Sequence, residues 1–367
     1  MSIRRLHPIR AISSALWILI VWGVTAVAQG KDPGKVILVC GQESPGAKPL
    51  GVELRQPFGV DSDADGDLFF AELEAHRVLK LNRQGKIELI AGTGQPGYSG
   101  DGGPAIKAQF NMMHNLAINS RNEIFVADTE NNAVRKIDLS SGEISTFAGT
   151  GKHGFDGDNG PANAALCGRI YCASFDPNFE TLYLADLDNR RIRAVTMDDG
   201  VIRTVAGNGQ TGVPTDGASA TESPLVDPRA VACDAEGRVY VLERGGHALR
   251  MVDVAGKIHT VVGTGKKGFS GDGGAALDAE LNGPKHLCID REGNVLIADT
   301  ENHVIRKYLI EEKTIVRLAG TGKEGHRGVG GPPLELELHQ PHGVFVARNG
   351  DIYIADSSNQ RILKIEF

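Results

Sequence analysis

Residues 295–307 read Val-Leu-Ile-Ala-Asp-Thr-Glu-Asn-His-Val-Ile-Arg-Lys, and this stretch predicts the fold of the whole chain. It has two short apolar segments around a polar centre, the pattern of two β-strands joined by a turn. The pattern recurs at residues 124–136, 182–193 and 352–364, with looser copies at 68–80 and 239–250. The acidic residue that ends the first strand returns every 56 to 58 residues, at Glu72, Asp128, Asp186, Glu243, Asp299 and Asp356. Six copies at one period indicate a repeat architecture.

Each repeat contains four short strands, which we label A to D. In the second repeat they are predicted at residues 115–118, 123–127, 133–137 and 143–148, with Gly, Asn and Asp in the turns between them. Such a repeat forms an antiparallel sheet that cannot bury both of its faces alone. The sequence therefore predicts an all-β fold, a six-bladed β-propeller of four-stranded antiparallel blades packed around a central channel.

The sixth repeat lacks a strand D, because the chain given ends with strand C at residues 361–367. Residues 36–40, Val-Ile-Leu-Val-Cys, match the strand D pattern of the other repeats. We expect this N-terminal strand to complete the last blade and so close the ring, which would cover two sheet edges at once.

The repeat also resembles a known family. Ala-Asp-x-x-Asn-His/Arg-x-Ile-Arg-Lys, preceded by Pro-x-Gly-Val and followed by Thr-x-Ala-Gly-Thr-Gly, is similar to the NHL repeat of six-bladed β-propellers, with Asp299, Asn302, His303 and Ile305 at the motif positions. The resemblance covers about residues 35–367. It implies the fold but not one function, since the family includes protein-, peptide- and RNA-binding modules, and related propellers are lyases and lactonase-like enzymes.

Residue types that recur in every blade are expected to be architectural. The acidic residue at the end of strand B should accept hydrogen bonds from amides of the next turn. The asparagine three residues later, at positions 131, 189, 302 and 359, should tolerate positive φ. In the glycine-rich linkers, Asp156 and Asp158 are expected to serve turns rather than a cation.

Residues 61–72 satisfy the calcium-loop pattern D-x-D-x-D-G-x5-E. The repeat places residues 63–66 in the A–B hairpin and Glu72 at the far end of strand B. A strand rises about 3.3 Å per residue, so Glu72 should lie roughly 20 Å from the turn. The repeat register therefore argues against calcium here.

One position varies from blade to blade and is therefore the candidate functional site. It lies just before strand A, at the innermost strand, and holds Phe58, His114, Tyr171, Arg229, Lys285 and His342; His286 follows Lys285. These side chains should converge at one mouth of the channel. We predict a ligand-binding site for an anionic or carboxylate-bearing ligand formed by His114, Tyr171, Arg229, Lys285, His286 and His342. Side chains that merely fill the channel are the alternative.

Three function classes remain open, and the third is a structural part of a larger cell-surface assembly. The favoured one is a binding module for a protein, peptide, glycan or small anionic ligand, because the sequence contains no certain catalytic set. The alternative is a metal-dependent lyase or lactonase-like enzyme, whose zinc would be held by His114, His286 and His342. No cofactor is predicted in the favoured case.

The N-terminus indicates export. Arg4, Arg5 and Arg10 precede an uncharged apolar run and a small-residue site at residues 26–28, the order of a secretory signal peptide. We predict a signal peptide at residues 1–28, cleavage near Ala28, a propeller over residues 29–367, and a secreted or periplasmic location without a membrane span in the mature chain.

Removing the three arginines of residues 1–28 changes the formal charge from −7 to −10, which disfavours nucleic acid as a partner. Whether Cys167 and Cys172 form a disulfide is left open.

Overall fold

The computed structural model describes residues 34–367, so the predicted signal peptide lies outside the described residues. The strands are, in chain order, β1 (Lys35–Gly41), β2 (Pro57–Ser62), β3 (Leu68–Glu72), β4 (Arg77–Leu81), β5 (Ile87–Ala91), β6 (Gly103–Pro104), β7 (Asn115–Ile118), β8 (Glu123–Asp128), β9 (Ala133–Asp138), β10 (Glu143–Ala148), β11 (Gly160–Pro161), β12 (Ile170–Phe175), β13 (Thr181–Asp186), β14 (Arg191–Thr196), β15 (Val201–Ala206), β16 (Ala218–Ser219), β17 (Pro228–Cys233), β18 (Val239–Glu243), β19 (Ala248–Val252), β20 (Lys257–Val262), β21 (Gly274–Ala275), β22 (His286–Ile289), β23 (Val295–Asp299), β24 (Val304–Leu309), β25 (Thr314–Ala319), β26 (Gly343–Val346), β27 (Ile352–Asp356) and β28 (Arg361–Glu366).

Single turns of 3-10 helix occur between strands. Five follow the glycine-rich linkers, and three form the B–C turns of the second, fifth and sixth blades. Their bounds are Ala105–Lys107, Thr129–Asn131, Ala162–Ala164, Ala220–Glu222, Ala276–Asp278, Thr300–Asn302, Pro333–Glu335 and Ser357–Asn359. No helix among residues 34–367 is long and apolar enough to cross a membrane.

The strands form six antiparallel sheets, which confirms the predicted six-bladed propeller. Four sheets carry a two-residue fifth strand at the outer edge, supplied by the glycine-rich linker: β6, β11, β16 and β21. The prediction of four strands in every blade omitted these short additions. They pair with strand D and cover part of an edge that would otherwise expose unpaired backbone groups.

The ring closes as the sequence predicted. Strand β1 lies antiparallel to β28, with Val36 opposite Ile365 and Cys40 opposite Ile362. The side chains of Val36 and Cys40 are fully buried. The last blade is therefore built from both ends of the described chain, in the order β1-β28-β27-β26.

The acidic residue at the end of strand B is architectural, but its partner differs from the prediction. Its carboxylate accepts a backbone N–H from the linker that enters strand A, 17 or 18 residues upstream, rather than from the next turn. At Asp299 this donor is Asn282, 2.8 Å away, and the Asn302 side chain adds a second bond of 2.8 Å. The same backbone bond occurs at Glu72, Asp128, Asp186, Glu243 and Asp356.

The asparagine column also acts differently from the prediction. Positive φ falls on the following residue, for example Asn132 at 51° and His303 at 56°, and not on Asn131 or Asn302. The side chain of Asn131 instead donates to Asp128, at 2.9 Å, and to the carbonyl of Gly97, at 2.7 Å. The asparagine therefore ties the B–C turn to the preceding linker.

In four blades a fully buried arginine donates to carbonyls of the glycine-rich linker: Arg135, Arg193, Arg306 and Arg361. Arg193 is fully buried and donates to Asp158 at 2.7 Å, while Asp186 lies 3.7 Å from its guanidinium. Asp156 accepts the N–H of Gly157 at 2.7 Å. The linker carboxylates thus serve a turn and an internal guanidinium. Asp63 likewise accepts the N–H groups of Asp65 and Asp67 inside the A–B hairpin, as the argument against a calcium loop required.

Candidate functional site

The six side chains at the position that varies from blade to blade meet in a ring around one mouth of the channel. Three of them immediately precede strand A, and Phe58, Tyr171 and Arg229 are its second residue. Five of the six neighbouring pairs are in contact. Phe58 stacks on His342, with ring centroids 4.0 Å apart, and meets His114 edge-on at 5.1 Å. His114 meets Tyr171 at 4.3 Å. The guanidinium of Arg229 lies 3.7 Å from the Tyr171 ring centroid, and Lys285 Nζ lies 3.1 Å from His342 Nε2. We call this set the mouth ring.

Hydroxyl groups of the neighbouring blades fix the backbone of the mouth ring. The Ser357, Thr129 and Thr300 hydroxyls donate to carbonyls that immediately precede Phe58, Tyr171 and His342, at 2.6, 2.7 and 2.8 Å. Each hydroxyl belongs to the first residue of a B–C turn. The repeated turn therefore fixes the backbone at three of the six mouth-ring positions, which explains how one architecture holds different residue types at one level.

Arg229 is the central charge of the mouth ring. The residue is only 6% exposed. No carboxylate of residues 34–367 forms an ion pair with it, although the charge of Asp227 acts on it from a greater distance. Its guanidinium instead lies against the Tyr171 ring, a cation–π contact. Burial lowers the pKa of Arg229 to about 10, so the group is still positive at neutral pH. A buried cation without a carboxylate partner favours an incoming anion.

Lys285 supplies a second cation. Its ammonium donates to Glu301 at 2.7 Å and to His342 Nε2 at 3.1 Å. His342 Nδ1 donates to the carbonyl of Gln340 at 2.8 Å, which leaves Nε2 as an acceptor for the lysine. Burial and the charge of Lys285 hold the pKa of His342 well below its usual range. His342 is therefore a neutral group that orients the lysine.

His114 is also neutral. Its Nδ1 lies 2.9 Å from the Met112 carbonyl and 3.0 Å from the Thr129 hydroxyl. Burial and the nearby Arg229 hold its pKa well below the usual range. The mouth ring thus combines two cations with two neutral imidazoles, a phenol and a phenyl ring. Only Glu301, through Lys285, brings an ion-paired acid to it among residues 34–367.

His286 lies outside the mouth ring, although the sequence predicted it to be part of the same site. It lies one position farther along strand A, where its Nε2 contacts the Asn115 amide at 3.0 Å and its Nδ1 accepts the Val344 N–H at 3.4 Å. The three histidines therefore do not share a metal, and no group of three or more His, Cys, Asp or Glu in the described chain is arranged to hold one. The zinc-enzyme alternative has no ligand set in this part of the molecule.

Replacing His286 by Asn gives a test of this burial. Burial lowers the pKa of His286 to about 4, against about 6.5 when unfolded. The neutral imidazole therefore contributes stability that is complete above pH 6.5 and is lost as pH falls toward 4. Relative to His286→Asn, the natural protein should lose up to about 1.4 kcal/mol of unfolding free energy per pH unit in that window. Urea denaturation of both proteins from pH 8 to 4 measures the difference; a constant difference would contradict the assignment.

The five cysteines are free thiols. Cys167 Sγ lies 3.8 Å from the buried Arg193, and Cys172 contacts the Val231 carbonyl at 3.7 Å. The two sulfurs have separate partners, so no Cys167–Cys172 disulfide forms.

A cavity opens at the opposite end of the channel, and the sequence analysis missed it. It measures about 780 Å³ and is lined by the inner strands and the A–B turns, including Asn115, His286, Asp61 and Arg348. None of the six mouth-ring residues lines it. We call this cavity the lumen. The sequence feature that could have indicated it is the position three residues after each mouth-ring residue. Asp61 occupies this position in the first blade, and the other five blades have uncharged residues there: Ala117, Ser174, Ala232, Cys288 and Phe345.

Comparison with known proteins agrees with the architecture. A Teneurin NHL domain model matches residues 163–270, and an NHL repeat model matches residues 338–365. "Protein SUPPRESSOR OF QUENCHING 1, chloroplastic" of Arabidopsis thaliana is 28% identical over 290 residues, which cover 76% of this chain and 27% of that protein. NHL repeat-containing protein 2 of Homo sapiens is 26% identical over 327 residues, 80% of this chain and 44% of that protein. The chain thus spans less than half the length of these relatives.

Among solved structures, an auxiliary nutrient binding protein from Bacteroides ovatus superposes with a TM-score of 0.64 at 13% identity. The superposition covers 90% of this chain and 76% of that one. At this identity the likeness concerns the fold alone.

Proposed function

Because this chain is an NHL-repeat six-bladed β-propeller, a class that generally serves as a protein-interaction module, we propose that it binds a partner through the mouth ring. The partner presents a carboxylate, on an acidic side chain or a chain terminus of a protein or peptide. The observation that carries this proposal is the buried guanidinium of Arg229, which has no carboxylate partner among residues 34–367.

The surrounding groups suit a carboxylate. Arg229 offers a planar donor set that can bind both oxygens, and Lys285 adds a point charge beside it. Tyr171 and His114 are partly exposed, so the mouth ring can be reached from solvent. The protein carries a formal net charge of −7. An acidic partner would be repelled by most of its surface and attracted at this mouth, which favours binding in one place.

Substituting Arg229 should have a large effect on this binding. The probe is a fluorescein-labelled peptide of alternating Asp and Glu, measured by fluorescence anisotropy against a matched Asn/Gln peptide. We expect saturable binding of the acidic peptide that weakens at least tenfold, about 1.4 kcal/mol, in Arg229→Gln. Added salt should weaken it too.

Arg203→Gln is the matched control, because Arg203 is an exposed arginine on strand β15, which lies in the outer half of its blade. This variant should bind like the natural protein. Equal losses in the two variants, or equal binding of the acidic and neutral peptides, would contradict a carboxylate site at the mouth ring. Thermal melts establish that both variants are folded.

We also propose that the protein is exported from the cytoplasm. The order of basic, apolar and small residues over 1–28 supports a cleaved signal peptide and a secreted or periplasmic binding module. Sequencing the N-terminus of the protein recovered outside the cytoplasm tests this. A start near Gln29 is expected, and a start that retains Arg4 and Arg5 would contradict cleavage.

A further inference from the structure

We propose that the lumen is a second binding site, separate from the mouth ring, that takes a compact organic amine whose ammonium group pairs with Asp61. The lumen has a volume of about 780 Å³, within the roughly 300–1,000 Å³ of small-molecule sites. Because the six mouth-ring residues do not line it, this site is independent of the proposed carboxylate site.

Asp61 is a carboxyl group held in place without a cation. One oxygen accepts the Ser62 N–H at 2.7 Å, and the other accepts the Ile118 N–H of the next blade at 2.9 Å. No lysine, arginine or histidine of residues 34–367 forms an ion pair with it. These two backbone bonds fix the carboxyl on the channel wall, and each oxygen can accept a further hydrogen bond.

The charges around Asp61 leave room for a ligand cation. Burial is the main cause that raises the pKa of Asp61 to about 7. The Ile118 and Ser62 N–H groups and Arg348 on the exposed rim oppose this shift, and Asp63 favours it. The Cys288 thiol also lies within the electrostatic reach of Asp61. A carboxylate whose charge is disfavoured by burial gains strongly from an ammonium group placed beside it. A neutral ligand would lack this gain.

The rest of the lumen suits an apolar body attached to the amine. Phe345 lies at the same strand position as Asp61 in the neighbouring sixth blade, and Phe179 and Ile289 also line the cavity. Ligand sites commonly combine such apolar walls with a few polar groups that fix the orientation. The expected ligand is therefore a monoamine with a small aromatic or aliphatic body.

Ligand-observed NMR on the full chain tests the proposal with phenethylamine, 2-phenylethanol and phenylacetate as cationic, neutral and anionic probes of one shape. Phenethylamine should bind saturably and at least tenfold more tightly than the other two. Asp61→Asn removes the charge and can accept only one of the two backbone N–H groups that Asp61 accepts, so a thermal melt must establish that this variant is folded. It should weaken phenethylamine binding at least tenfold. Asp176→Asn on the rim and Arg229→Gln in the mouth ring should change it less than twofold.

A second measurement needs no substitution. Cys288 lines the lumen and is partly exposed. Burial raises the pKa of its thiol, so it reacts slowly with a maleimide, and peptide mass spectrometry over a long time course at pH 8 reports whether the lumen is occupied. Phenethylamine should slow this reaction at least threefold, and phenylacetate should not. Absence of phenethylamine binding at 10 mM, equal binding of the alcohol, or unchanged affinity in a folded Asp61→Asn would each overturn the proposal. Loss of amine binding in Arg229→Gln would show that the two sites are not separate.

Discussion

A chain that begins at Gln42, and so lacks strand β1, will fail to form a stable propeller. The same residues will fold when β1 is restored at the other end, as a permuted chain in which a short Asn-Gly turn joins Phe367 to residues 35–41. Strand β1 supplies the outer strand of the last blade, where Val36 pairs with Ile365 and Cys40 with Ile362. Its removal exposes a sheet edge and part of the core.

The expected loss is large. Strand β1 contributes a ladder of backbone hydrogen bonds, each worth about 0.5–1.5 kcal/mol net, and buries Val36 and Cys40 completely. Together these terms are on the order of 5–10 kcal/mol, comparable with the whole stability of a typical domain. Because β1 and β28 are antiparallel neighbours, a tight turn can join them without moving either strand.

Circular dichroism and thermal melts of the truncated, permuted and natural chains measure the effect. The permuted chain should melt cooperatively within a few degrees of the natural one, and the truncated chain should show no cooperative transition. Cooperative melting of the truncated chain near the natural temperature would mean that β1 is dispensable. A permuted chain that does not fold would show that the order of the strands along the chain matters more than their pairing.

The fold could be predicted from the sequence because the same four-strand repeat occurs six times. Alternating apolar residues and turn residues at one period determine strands, turns and blade number without any long-range information. The closure was predictable for the same reason, since residues 36–40 match a pattern that the sixth repeat lacks. The two-residue strands such as β6 were missed because Gly103–Pro104 carries no strand signal.

The candidate site was predictable only in part. The column before strand A gave the right level of the channel, because an equivalent position in each blade must face the same axis. It did not reveal which side chains would touch, and it grouped His286 with residues that the structure places one layer away. The lumen was missed because its volume depends on how the inner strands of the six blades are spaced and on the small side chains around Asp61, such as Ala117 and Ala232. The sequence does not give the spacing of the strands.

The buried arginines show a further feature that the repeat pattern conceals. In blades two to five the arginine lies seven residues after the acid, as in Asp299 and Arg306. In blades one and six it lies five residues after, as in Asp356 and Arg361, although in blade one the side chain of Arg77 is 29% exposed. The two positions are two residues apart on strand C and so face the same side of the sheet. Arg306 and Arg361 also donate to equivalent linker carbonyls, those of Glu280 and Glu337.

This equivalence predicts a loss and a rescue. Arg306→Leu removes a fully buried guanidinium and leaves Asp299 buried without its cation, so it should cost about 3–5 kcal/mol of unfolding free energy. Adding Val304→Arg recreates the arrangement of the sixth blade, with arginine at the fifth position and leucine at the seventh, and should restore at least half of that loss.

Urea denaturation of the single and double variants measures both effects, with Val304→Arg alone as the control. That control should be tolerated poorly, since two guanidinium groups would then share one buried acid, and like charges repel more strongly in a medium of low dielectric constant. A double variant more stable than either single variant would establish that the guanidinium site matters and not the backbone position that supplies it. If the double variant is no more stable than Arg306→Leu, the carbonyls of the linker must instead require an arginine that arrives from position 306 itself. The linkers of blades two to five would then differ in shape from those of blades one and six, which meet at the ring closure.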